Sequence, residues 1–191
     1  MMLSDKHRFA FSAITKTATQ SVLQVLREHY HGYLEGGVAM HSMKPPARAA
    51  EYFTFTVCRN PYDRAVSLWW STCKRDVDKY GFRAKCPRAD DFTSFMKWVA
   101  TTRPDHELTR PQWLHIHGVR IDRVLRFEHL ADDFKSLPFY SGEPAEWPRN
   151  NTTIENRLPW QQYMSRDSVR WIHEWCGLDF DKFGYERIEW S

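Results

Sequence analysis

The chain has 191 residues, 42% of them hydrophobic and 27% charged, which is enough apolar material for one buried core and excludes a disordered or fibrous protein. Its net charge of +3 is too small to argue for nucleic-acid binding, but it suits a polyanionic ligand held in one pocket. No apolar run reaches membrane-span length, Met1 to Arg8 is too short and polar for a signal peptide, and the cysteines (Cys58, Cys73, Cys86, Cys176) form no C-x-x-C pair. The expectation is therefore a single cytoplasmic domain over residues 1–191 with free thiols.

In chain order, Arg8 to Ile14 is a short apolar run that predicts a strand, and Ser21, Val22, Val25 and Leu26 follow at helical spacing. Glycines between Gly32 and Gly37 break the pattern before a short strand expected at Val38 to Met40 and the Pro45-Pro46 turn. Glu51 to Val57 is β-branched and aromatic throughout, the composition of a central strand covered on both faces. Pro61 suits a first helical turn, and Ala65, Val66, Leu68 and Trp69 continue it.

Residues 72–90 are rich in Lys and Arg without a clear apolar period, so they predict an exposed basic excursion. Phe92, Phe95, Met96 and Val99 mark a helix with one buried face. Arg123 to Phe127 predicts another strand, Glu128 to Leu137 a helix, and 138–160 an irregular loop. Ser165 is an N-cap candidate for a last helix ending near Gly177, ahead of Phe180 and Phe183. Strands alternating with helices predict an α/β, P-loop-like three-layer fold: a central, mainly parallel sheet flanked by helices.

Two strand ends carry residues suited to phosphate. In the first, Thr15-Lys16-Thr17-Ala18-Thr19-Gln20-Ser21, a strand passes into a helix whose N-terminus favours an anion, Lys16 supplies a point charge, and hydroxyls add donors. A capped helix with a solvated lysine is the plainer reading. The G-x-x-x-x-G-K-[ST] pattern is absent, which removes the main support for a P-loop kinase. In the second, Arg59 stands at the carboxyl end of the central strand and Ser67 two helical turns on, a guanidinium fork and a hydroxyl that can hold a terminal phosphate. Arg64 could pair with Asp63 or Glu128 and serve structure alone.

Taken together, Lys-Thr-Ala-Thr-Gln-Ser and Val-Cys-Arg-Asn-Pro-Tyr-Asp-Arg-Ala-Val-Ser resemble the 5′-phosphosulfate loop and the 3′-phosphate segment of sulfotransferases that use 3′-phosphoadenosine 5′-phosphosulfate (PAPS). The resemblance is closest to the carbohydrate enzymes of the heparan 2-O and chondroitin type and their compact bacterial relatives, and it spans nearly the whole chain. Arg126-Phe127-Glu128-His129-Leu130 and Asp179-Phe180-Asp181-Lys182-Phe183-Gly184-Tyr185 are further marks. Ala18 stands where many members carry glycine; since a left-handed alanine costs about 1 kcal/mol or more, an ordinary right-handed approach to the helix is expected there.

The resemblance implies PAPS as donor and PAP as product. Lys16, Thr17, Ala18, Thr19, Gln20 and Ser21 would lie around the 5′-phosphate, Arg59 and Ser67 on the 3′-phosphate, and Asn151 and Thr152 in a loop over the nucleotide. Lys16 and His41 are the catalytic candidates, His41 as base, with His115, His117 and Glu128 as rivals. His29-Tyr30-His31 and His115-Ile116-His117 lack a third ligand at metal spacing, so no metal is expected. The acceptor is expected to be a hydroxyl of a sugar or glycan, with the basic excursion, Trp69, Trp70 and Trp113 lining its cleft. A non-catalytic module that binds PAP or glycan is the alternative from another class.

Overall fold

The computed structural model describes residues 1–34, 46–74, 81–102, 106–148 and 157–190. In chain order these form β1 (Met2–Ser4), β2 (Phe9–Ser12), α1 (Thr19–His29), β3 (Tyr33–Leu34), a 3-10 turn (Ala47–Ala49), β4 (Phe53–Cys58), α2 (Pro61–Trp69), a π-helical turn (Trp70–Lys74), α3 (Phe82–Lys85) and α4 (Phe92–Thr102). They continue with α5 (Gln112–Ile116), β5 (Arg123–Arg126), a 3-10 turn (Phe127–His129), α6 (Leu130–Phe134), another (Trp160–Tyr163) and α7 (Arg166–Phe183). The strand expected at Val38 to Met40 lies outside the described residues, as do His41, Asn151 and Thr152. The chain divides into two compact units, Met1–Arg59 with Leu114–Glu155 and Asn60–Trp113 with Asn156–Ser191.

The first unit holds a mixed five-stranded sheet of order β3-β1-β2-β4-β5 among the described residues, and its class is α/β. β2, β4 and β5 run parallel, while β1 is antiparallel to both β2 and β3. Strand alternation divides the side chains between two faces. Phe9, Phe11, Phe55, Val57 and Leu125 pack with Val22, Val25 and Leu26 of α1 and with Phe134 of α6. Leu3 and Ala10 pack with Ala49 and Tyr52 in a separate cluster. The parallel centre β2-β4-β5 is the mainly parallel sheet expected, and the antiparallel edge adds to it: Met2–Ser4 is buried at every position, so no polar alternation announces a strand.

The described elements of the second unit are helical. Leu68, Trp69, Phe95, Met96, Val99, Ile172, Trp175 and Phe180 share its core. Helix α2 starts on Asn60, whose side chain accepts the Tyr62 N–H at 2.9 Å, with Pro61 in the first turn. Asp91 Oδ2 accepts the Ser94 N–H at 2.8 Å in the first turn of α4. At α7 Ser165 and Ser168 form a reciprocal box, Ser168 N–H to Ser165 Oγ at 3.1 Å and Ser165 N–H to Ser168 Oγ at 2.8 Å.

Two expectations are corrected in this unit. The basic stretch is not wholly exposed: Phe82, Cys86 and Ala89 are buried in the core, an i, i+4, i+7 spacing hidden among the lysines and arginines. Trp69 is a core residue rather than a cleft wall, buried to 5% exposure with its indole N–H donating to the Ala89 carbonyl at 2.9 Å. Helix α7 breaks near Gly177, where its end was expected. Cys176 leaves helical geometry at φ −140°, and the chain resumes as far as Phe183, where Gly184 closes it at φ 65° in the left-handed conformation that glycine adopts without a Cβ penalty.

All four cysteines are free and buried. Burial pushes the Cys86 thiol up to about 11, and desolvation likewise raises Cys176 well above the ordinary thiol range.

Candidate functional site

The first unit brings Lys16, Arg59 and Phe127 together at the carboxyl ends of its parallel strands. Ligands of open α/β sheets bind at this edge. The connection from β2 to α1 turns tightly: Lys16 and Ala18 stand at φ 68° and 61°, with Thr17 between them. Left-handed residues interleaved with ordinary ones gather successive N–H groups on one side, a concavity suited to an anion. The expectation for Ala18 is therefore corrected. The Thr17 and Thr19 hydroxyls both donate to the Ile14 carbonyl, at 2.9 and 2.7 Å, and fix a turn that passes through a left-handed Ala18. The backbone strain is about 1–2 kcal/mol, and two hydrogen bonds of about 1 kcal/mol each offset it.

These bonds also change what the threonines offer. With both hydroxyl protons directed at Ile14, Thr17 and Thr19 present backbone N–H groups rather than hydroxyl donors to a ligand. No side chain caps α1, so its positive N-terminal end faces the loop. Lys16 is half-buried, Gln20 is exposed and Ser21 is buried.

Arg59 follows β4 directly and is 8% exposed. Its Nη1 donates to the Lys16 carbonyl at 3.2 Å, and its guanidinium lies over the Phe127 ring, 3.9 Å from the centroid. Phe127 opens the 3-10 turn after β5, and Asp133 fastens that turn by accepting the Arg126 N–H at 2.7 Å. One arginine thus touches both neighbouring strand ends. The spacing of Lys16 and Arg59 was visible in the sequence, whereas the role of Phe127 was not: a lone phenylalanine after a strand carries no local signal.

The rivals for the base separate by burial. His115 is 1% exposed, with Nε2 lying 3.5 Å from Thr15 Oγ1, where it supports the root of the loop; His117 and Glu128 are exposed.

Within the second unit Ser67 lies half-buried on α2. Arg64 is fully buried. Its Nη2 donates to the Arg110 carbonyl at 2.7 Å, its guanidinium lies 5.2 Å from the Trp175 ring centroid, and its charge faces Asp179. Asp63 pairs with Arg157.

The closing Asp-Phe-Asp-Lys-Phe-Gly-Tyr segment is structural in this unit. The Asp179 carboxylate accepts the Gln112 and Trp113 N–H groups, each at 2.9 Å, and so caps α5. Burial raises its pKa above the carboxylate value, and Arg64 opposes that shift. Asp181 accepts a two-pronged bond from Arg187 at 2.6 and 2.8 Å.

Among the described residues no group of three or more His, Cys, Asp or Glu is placed to hold a metal ion. Nor is any helix there long and apolar enough to cross a membrane. Compared with known proteins, the chain matches the family model described as the sulfotransferase family over residues 1–186. No curated protein and no solved structure matches it.

Proposed function

The chain belongs to the sulfotransferase family, and from that premise we propose that it moves the sulfuryl group of PAPS to a carbohydrate hydroxyl. The observation that carries the reading is the junction of Lys16 and Arg59: a left-handed loop at an uncapped helix start, held by an arginine from the next strand. That set suits a ligand with anionic groups at two places, as PAPS has. An ammonium and convergent N–H groups suit its 5′ end, and a guanidinium suits its 3′-phosphate.

PAPS would supply the activated sulfuryl group. The acceptor oxygen forms a bond to sulfur as the bond from sulfur to the phosphate oxygen breaks, and PAP departs. Lys16 offsets the charge developing on that oxygen, while the loop and α1 hold the phosphate in line. His41 takes the proton of the attacking hydroxyl. The family resemblance further assigns Ser67 to the 3′-phosphate and Asn151 and Thr152 to the nucleotide. The whole chain acts as one sulfotransferase domain without a metal.

Isothermal titration of PAP, AMP and ATP against the wild type and Arg59→Ala tests the reading. The expected result is that PAP binds at least about tenfold tighter than AMP and that Arg59→Ala removes the difference, the size of a charge-assisted bond. Equal affinity for the three nucleotides in the wild type would overturn the donor assignment.

A further inference from the structure

A guanidinium can swing about several side-chain bonds, so an arginine that selects a phosphate has to be held in one plane. At Arg59 that plane is set from two directions. The edge is tied to the Lys16 carbonyl through Nη1 at 3.2 Å, and the face lies on the Phe127 ring at 3.9 Å. A bond along one edge leaves the group free to rotate about that bond, and the ring removes this freedom. The ring is itself held: Asp133 fixes the Arg126 N–H at 2.7 Å, and Phe127 packs against the buried cluster of β2, β4, α1 and α6.

The geometry points to Phe127 as a positioning residue that orients the Arg59 fork and thereby sets the preference for a nucleotide bearing a 3′-phosphate. The inference rests on the proposed donor site. It goes beyond that reading by giving the 3-10 turn after β5 a part in ligand selection. The ring face is occupied by Arg59, so Phe127 acts through the arginine and not as a stacking platform for the base.

The test is the affinity ratio of PAP to AMP, measured by titration on the full chain for the wild type, Phe127→Met, Phe127→Tyr, Arg59→Lys, Arg59→Ala and the Arg59→Ala/Phe127→Met pair. Phe127→Met is expected to lower the ratio by about fivefold or more, the size of a partly desolvated cation–π contact. AMP affinity should hold, and Phe127→Tyr should keep the ratio. In the Arg59→Ala background Phe127→Met is expected to change nothing, because the residue it orients is gone.

An unchanged ratio in Phe127→Met, an equal loss of AMP and PAP binding, or the same effect with Arg59 absent would overturn the inference and leave the donor site standing. A wild type without any preference for PAP removes the donor site, and the inference with it. Arg59→Lys serves independently should Phe127→Met fail to fold. It keeps the charge but has no plane to lay on the ring, so it should lose the preference; if it keeps the preference, the inference fails.

Discussion

Helix α2 begins on a side chain, with Asn60 holding the Tyr62 N–H, and helix α1 begins on none, with a left-handed alanine in the capping position. Both follow parallel strands of the sheet, so the contrast is not imposed by topology. Among the described helices of nine residues or longer, α2, α4 and α7 start on Asn60, Asp91 and Ser165. A side-chain cap spends the N-terminal N–H groups on stability, and a helix without one keeps its positive end for something else. The helical unit uses its starts to hold itself together. The sheet unit leaves its first helix start without a side-chain cap, behind the left-handed turn of Lys16 and Ala18.

The contrast can be broken at its strongest cap first. Asp179→Ala removes the acceptor of two N–H groups and the charge that faces the buried Arg64. It should cost about 3–5 kcal/mol in urea unfolding. Asn60→Ala is next, expected to cost about 1 kcal/mol while leaving PAP affinity within about twofold of the wild type. A tenfold loss of PAP affinity in that variant would mean that the α2 start also serves the ligand, and the contrast would fail. Smallest is Ala18→Gly. Relief of the left-handed strain, set against the greater entropy of unfolded glycine, should raise stability by up to about 1 kcal/mol. A thermal melt at or below that of the wild type would show that the loop holds no strain at Ala18.

How far these starts were legible depends on what each signal requires. Asn60-Pro61 and Ser165 are local marks, and the structure places helices after both. The run Glu51 to Val57 likewise became β4 because β-branched and aromatic residues need no distant partner to be recognised. Ala18 was misread because its conformation is set by two threonine hydroxyls converging on one carbonyl, a tertiary cost balance that propensity does not contain. Phe82, Cys86 and Ala89 were masked by neighbouring charge. Asp179 and Phe127 were noticed only as parts of family marks, since their partners Gln112 and Arg59 lie 67 and 68 positions away.

The buried cysteines give the molecule a built-in recorder of its own motions. An alkylating reagent attacks the thiolate, and in the closed protein all four sulfurs are enclosed. Each labelling event therefore counts an opening of the surrounding structure. Cys58 ends β4 in the first unit, whereas Cys73, Cys86 and Cys176 lie in the second. The order in which the four sites take up reagent, read by mass spectrometry on the unmodified sequence, distinguishes sheet from helices as the part that yields first.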